Sequence, residues 1–180
     1  MTPIETLLGR LGRTPIELER ALADKKDDEL GRRPDAHNWS AKEIVCHLRD
    51  VEELFQIRFH TVLALDEPRI LVLGASADDL AAWRISGPIG HPLDPERWSE
   101  ERQYSRNDAQ EALAAFKRRR AEVLTLLRSL SPGEWQRGGI HLRRGRLTLG
   151  DWVASLAGHD ENHLDQLRRA LDGRPVMPQK

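Results

Sequence analysis

The sequence predicts an all-α protein, a four-helix bundle with a long irregular connection between its second and third helices, and three observations carry that prediction. Apolar residues recur at steps of three and four in four long stretches, the period of a helix that buries one face. Three of these stretches open on residues suited to start a helix. The strand signal is weak: aromatic residues make up 5% of the chain, and alternating runs of β-branched residues are scarce.

The first helix is expected from Pro3 to Ala23, with Thr2 as N-cap and Pro3 at the first helical position. Ile4, Leu8, Leu11, Leu18 and Leu22 keep the helical step, while Pro15 falls on the same stripe and predicts a kink or restart at Thr14-Pro15. Asp24 to Asn38 is polar, contains Gly31 and Pro34, and reads as a loop with room for one short turn. The second helix starts sharply, because Ser40 and Glu43 form a capping box and Trp39 can staple onto Ile44. Its stripe is Ile44, Leu48, Val51, Phe55, Phe59 and Val62, and it fades near Asp66 before Pro68. Asp66 to Asn107 is the irregular connection; Ala77 to Arg84 could form a short helix, and Gly87-Pro88, Gly90, Pro92 and Pro95 interrupt any regular structure beyond it.

The third helix begins at Asn107 or Asp108, and its inward stripe reads Ala109, Leu113, Phe116, Arg120, Val123, Leu127 and Leu130. Ser131-Pro132-Gly133 stops it, and Trp135 to Leu147 reads as a turn-containing connection. The fourth helix takes Thr148 as N-cap and Asp151 in its first turn, and Gly173 with Pro175 ends it. The whole of 1–180 is expected to form one domain, a length that supports a single sizeable core. Periodicity leaves the order in which the helices pack open.

A formal net charge of -1 gives no electrostatic footprint for nucleic acid, and the run Lys117 to Arg120 sits inside a helical pattern, where it reads as a solvated face. The single cysteine, Cys46, excludes an intrachain disulfide. No apolar run reaches the roughly 20 residues that span a bilayer, and Met1 to Arg13 carries no apolar signal core, so a cytoplasmic location is expected.

The informative residues are the polar ones that interrupt apolar stripes. Trp152, Leu156, His159, His163, Gln166 and Ala170 alternate in steps of four and three, so both histidines point inward, one turn apart on one face. His47 lies between Ile44 and Val51 on the inward face of the second helix. Three imidazoles on two helices could meet in the core around one divalent ion, leaving coordination positions free, as in catalytic sites. Interior histidines satisfied by ordinary hydrogen bonds are the simpler account of the same spacing. His159 to His163 also brushes against the zinc-protease helix motif, but Asp160 stands where that motif needs glutamate. Asp50, one turn after His47, could accept a ring N–H from it or sit on the helix surface. Arg120 occupies an inward position and needs an anionic partner there, unless it snorkels out at the bundle end. Cys46 points about 100° away from His47 and reads as a small packed side chain. His37, His60, His91 and His141 lie outside the triad pattern, and the tryptophans read as core and staple residues.

Trp39-Ser40-Ala41-Lys42-Glu43-Ile44-Val45-Cys46-His47-Leu48-Arg49-Asp50 resembles the second-helix signature of the DinB-like superfamily. Gly145 to Leu149, followed by His159-Asp160 and His163 to Leu167, resembles its fourth-helix signature. The resemblance implies a four-helix bundle whose metal-binding triad maps onto His47, His159 and His163, with nickel or zinc as the metal. Members include transferases that use bacillithiol, mycothiol or glutathione, and dimers are frequent among them. The leading expectation is therefore a metal-dependent transferase that joins a low-molecular-weight thiol to a small-molecule electrophile. In that reading the metal stabilises the thiolate, and Arg120 and Asp50 serve in catalysis, Arg120 by orienting an acidic group. Hydrolysis at the same open site and a non-catalytic metal-binding role in stress response are the alternatives.

Overall fold

The computed structural model describes residues 3–70, 78, 81 and 95–175. In chain order its elements are α1 (Ile4–Leu22), α2 (Asp27–Leu30), α3 (Ala41–Ala64), β1 (Arg69–Ile70), α4 (Pro95–Glu101), a 3₁₀ turn (Tyr104–Arg106), α5 (Ala109–Ser129), α6 (Pro132–Trp135), β2 (Gly138–His141), β3 (Gly145–Thr148) and α7 (Leu149–Leu171). The four expected long helices are α1, α3, α5 and α7. The Thr2 cap lies outside the described residues, as does the short helix expected over Ala77 to Arg84, save for Asp78 and Ala81, which are helical.

Local chemistry sets the helix starts. The Ser40 hydroxyl accepts from the Glu43 N–H, and the Glu43 carboxylate accepts from the Ser40 N–H, closing the expected capping box. Thr148 and Asp151 form the same box at α7, and the Asp108 carboxylate caps α5 through the Glu111 N–H. The restart expected at Pro15 does not occur; α1 runs through it. Proline offers no N–H to the carbonyl four residues earlier. That carbonyl, Leu11, accepts instead from Arg120 Nη1 at 2.9 Å.

Two apolar clusters fill the bundle. One holds Leu7, Leu11, Val51, Phe59, Val123, Leu127, Val153 and Leu156. The other holds Leu18, Leu22, Ile44, Leu48, Phe116, Leu164 and Leu167. Along α1 and α7 the chain passes from the first cluster to the second, and along α3 and α5 it passes the other way. The helices therefore run up, down, down and up in chain order. α1 packs on α5 and α7, and α3 packs on the same two, so α1 and α3 face each other across the diagonal. Joining the co-directional α3 and α5 requires the chain to return the length of the bundle, roughly 36 Å for a helix of 24 residues. The long connection between them is thus demanded by topology.

The turn-containing connection expected over Trp135 to Leu147 holds two strands of a small three-stranded sheet, which the sequence reading did not anticipate. β1 pairs parallel with β2 (Arg69 opposite Ile140), and β2 pairs antiparallel with β3 (Gly139 opposite Leu147). Strands of two to four residues are too short to show alternation. Gly139 admits β1 at close range: a Cβ there would lie 2.7 Å from Ile70 Cγ1 and 3.1 Å from the Pro68 carbonyl. β3 ends at Thr148, so the hairpin fixes where α7 begins.

Candidate metal centre

α3 buries His47, and α7 brings His159 and His163 against it from a neighbouring rod. The ring centroids are 5.1 Å apart for His47 and His159, 4.5 Å for His47 and His163, and 4.3 Å for His159 and His163. His47 Nε2 and His159 Nε2 are 3.0 Å apart, and one ring nitrogen from each of the three lies within 4.8 Å of the others. Tetrahedral coordination at about 2.1 Å sets nitrogens about 3.4 Å apart, so the donor set fits one small divalent ion. The protonation states fit as well. Burial, with the neighbouring imidazoles, pushes His47 down to about 2, and burial with His159 pushes His163 down to about 4. Both rings are neutral near pH 7, the form that ligates metals. His163 Nδ1 donates to Gln166 Oε1 at 2.7 Å, which leaves its Nε2 lone pair free. Trp39 forms one wall, its ring 5.0 Å from that of His47 and stacked at 6.4 Å on that of His163.

Behind the triad, at the level where every long helix changes cluster, lies a buried polar layer. Arg120 donates through Nε and Nη2 to the two Glu52 oxygens at 2.8 and 2.5 Å, and through Nη1 to Asp160 Oδ2 at 2.6 Å. Thr14 Oγ1 donates to that same Asp160 oxygen at 2.8 Å. One guanidinium thus serves two carboxylates, all three side chains being at most 2% exposed. Burial lifts the Glu52 carboxyl above its ordinary range, although Arg120 pulls it down. For Asp160 burial is outweighed by Arg120 and His159, and its carboxyl is held low. Asp160 Oδ1 lies 4.0 Å from His159 Nδ1.

The sequence model of the DinB superfamily matches residues 10–167. The chain belongs to the DinB superfamily. A relative named "Putative metal-dependent hydrolase OB0413", from Oceanobacillus iheyensis, is 22% identical over 168 residues, covering 93% of this chain and 81% of that protein. A solved structure described as "YfiT from Bacillus subtilis is a probable metal-dependent hydrolase with an unusual four-helix bundle topology" aligns with a TM-score of 0.75 at 21% identity. The match covers 93% of this chain and 85% of that one. At that identity the likeness shows a shared fold.

Within this DinB fold the expected site residues divide. His47, His159 and His163 come together, and Gln166 joins them through His163. Asp50 does not reach His47. Its carboxylate accepts from Arg49 Nε and the Tyr104 hydroxyl, each at 2.7 Å, and pairs with Arg102 at the same distance. Arg120 is not poised to orient a substrate acid, because the Glu52 and Asp160 carboxylates and the Leu11 carbonyl already occupy its guanidinium. Cys46 is a buried packed side chain whose thiol burial pushes up to about 11. His37 and His60 are exposed and outside the cluster, His141 stacks on Trp152 at 5.6 Å, and His91 lies outside the described residues. Sequence reasoning misses Glu52, Asp160 and Thr14. Each nonetheless interrupts a buried stripe at helical spacing: Val45, Leu48, Glu52, Phe55 on α3; Val153, Leu156, Asp160, Leu164 on α7; Leu7, Leu11, Thr14, Leu18 on α1.

Proposed function

We propose that the chain is a metal-dependent hydrolase in which His47, His159 and His163 hold one divalent ion. The convergence of three imidazole nitrogens within 4.8 Å carries this reading. The names of the two relatives agree with it. An all-imidazole donor set suits zinc or nickel. When bound, such an ion supplies Lewis acidity, activating water and polarising the group under attack. The chain's own residues do the rest. Neutral rings leave the ion its full charge, Gln166 holds His163 in the tautomer with a free Nε2, and the Trp39 face offers an apolar wall to a substrate. His159, whose side chain is 21% exposed, marks the side from which water and substrate enter.

Thiol conjugation, the leading expectation from the resemblance, makes the same use of the ion and of the triad. The relatives' names favour hydrolysis, and the thiol requirement separates the two. The test is to load the protein with zinc or nickel and screen ester, amide and phosphoester substrates, then electrophiles with bacillithiol, mycothiol or glutathione. Metal-dependent hydrolysis without thiol, lost together with metal binding in His163→Ala, is the expected result. Strictly thiol-dependent consumption of an electrophile would return the assignment to a transferase. Metal-stimulated turnover that survives His163→Ala would remove the triad from the site.

A further inference from the structure

We infer that Asp160 is a positioning residue for His159, fixing the imidazole tautomer that ligates the ion and coupling the metal centre to the polar layer of the core. The inference rests on the metal-centre reading above. His159 presents Nε2 to the cluster, 3.0 Å from His47 Nε2. With the Nε2 lone pair given to an ion, its back nitrogen, Nδ1, is the one that carries the proton, since a neutral imidazole has one N–H and one lone pair. That nitrogen is buried and has no hydrogen-bond partner among the described residues. Asp160 Oδ1 is in the same condition: buried, unpartnered among the described residues, and an acceptor. A donor and an acceptor that lack partners face each other across 4.0 Å.

Buried polar groups are rarely left unmatched, and each costs about 1–3 kcal/mol when it is. A closure of about 1 Å would bring the pair to hydrogen-bonding distance. The carboxylate is not free to turn away, because its other oxygen is held by Arg120 Nη1 at 2.6 Å and Thr14 Oγ1 at 2.8 Å. Asp160 therefore does for His159 what Gln166 does for His163. It also adds a negative charge behind the ligand, which makes the ring a better donor to a cation. Because Arg120 and Thr14 hold Asp160 from α5 and α1, loading the ion tightens a contact network that reaches all four long helices.

The experiment compares Asp160→Asn, Glu52→Gln and His163→Ala with wild type. Zinc affinity is measured by competition with a chromophoric chelator, and cobalt(II) reports coordination through its visible absorption spectrum. Asp160→Asn is expected to bind zinc about 10- to 100-fold more weakly, the usual effect of removing a carboxylate behind a ligating histidine, and to alter the cobalt spectrum. Glu52→Gln removes the same charge from the same layer at a carboxylate that hydrogen-bonds to Arg120 through both oxygens, and it should stay near wild type. Equal losses in the two variants would reduce the effect to buried charge and overturn the inference, as would an unchanged Asp160→Asn. Should Asp160→Asn fail to fold, nitrogen NMR of the zinc-loaded wild type decides: a protonated, slowly exchanging, hydrogen-bonded His159 Nδ1 is expected, and an unprotonated Nδ1 overturns the inference. If wild type binds zinc no better than His163→Ala, the metal-centre reading itself has failed, a result distinct from either outcome at Asp160.

Discussion

Arg120→Met is the sharpest perturbation of this fold, because the energetic terms it disturbs can be named one by one. Methionine keeps an unbranched stem beside Phe116, over whose ring the guanidinium sits at 4.8 Å, so little packing is lost. The loss is the donor set to Glu52, Asp160 and the Leu11 carbonyl. Two buried carboxylates then face each other without a cation. Removing one partner of a buried ion pair costs about 3–5 kcal/mol, a large share of the roughly 5–15 kcal/mol that holds a domain together. The penalty should also carry a pH signature. Without Arg120 the Glu52 carboxyl, already raised by burial, rises further and the Asp160 carboxyl turns from lowered to raised, so their contribution is intact below about pH 4 and lost as pH rises through the folded values. The difference in urea midpoint between wild type and variant should accordingly be large at pH 7 and smaller at pH 5. Adding Glu52→Gln to Arg120→Met should recover part of it, since one of the stranded charges is gone. A penalty under about 1 kcal/mol, the value of an exposed ion pair, or one that ignores pH, would refute the account of the layer.

Three further outcomes are expected. In metal-free wild type, His47 and His163 have folded pKa values near 2 and 4, below the unfolded value of about 6.5, so stability is full above that value and falls with pH toward 4. Each ring contributes up to about 1.4 kcal/mol per pH unit in that window, and urea titrations at pH 7 and 5 read the loss; a flat profile would contradict the burial of the rings. Nickel should quench tryptophan fluorescence through Trp39, whose ring lies 5.0 Å from that of His47, and Trp39→Phe should remove most of the quench. Cys46, buried and with its thiol pushed up to about 11, should resist alkylation in the native protein near neutral pH and react once the chain is unfolded; rapid native labelling would contradict its placement.

The four long helices were legible because each carries its own period and three carry a side-chain cap: Ser40 with Glu43 and Thr148 with Asp151 act in the fold as their spacing implies, and Asp108 caps α5. The triad was legible for the same reason, since stripes place His47, His159 and His163 inward without any knowledge of neighbours. The small sheet was not. Its strands are shorter than any window that shows alternation, and its central pairing depends on Gly139, where the informative feature is a missing Cβ. The partner of Arg120 was not legible either. The stripe requires an anion, but telling Glu52 from Asp50 on α3 needs the rotation of that helix about its axis. A difference of two residues turns a side chain by roughly 200°, enough to move it from the Arg49 and Tyr104 cluster to the bundle centre. Pro15 shows the limit most clearly. Local rules predict a kink or a restart, yet the helix continues, and a side chain from α5 serves the carbonyl the proline leaves without its N–H.

The direction of the helices bears on the site as well as on the fold. His47 lies six residues past the start of α3, and His163 lies eight residues before the end of α7. Two helices that pack in opposite directions with their ends level bring such positions to nearly the same height. Were α3 and α7 to run the same way, His47 would face the first two turns of α7, and His159, ten residues from its start, would sit about 6 Å too far along the axis. The antiparallel pairing of α3 with α7 is therefore a condition for the triad. With α3 and α5 co-directional, it is met at the expense of the long return between them. On α7 the step of about 100° between adjacent residues then divides the work: His159 faces the seam with α3, while Asp160 turns to the centre, where Arg120 and Thr14 hold it. A single turn of one helix thus serves both the metal centre and the core. A substitution at Asp160 should for that reason be felt first at His159 and only through it at the ion.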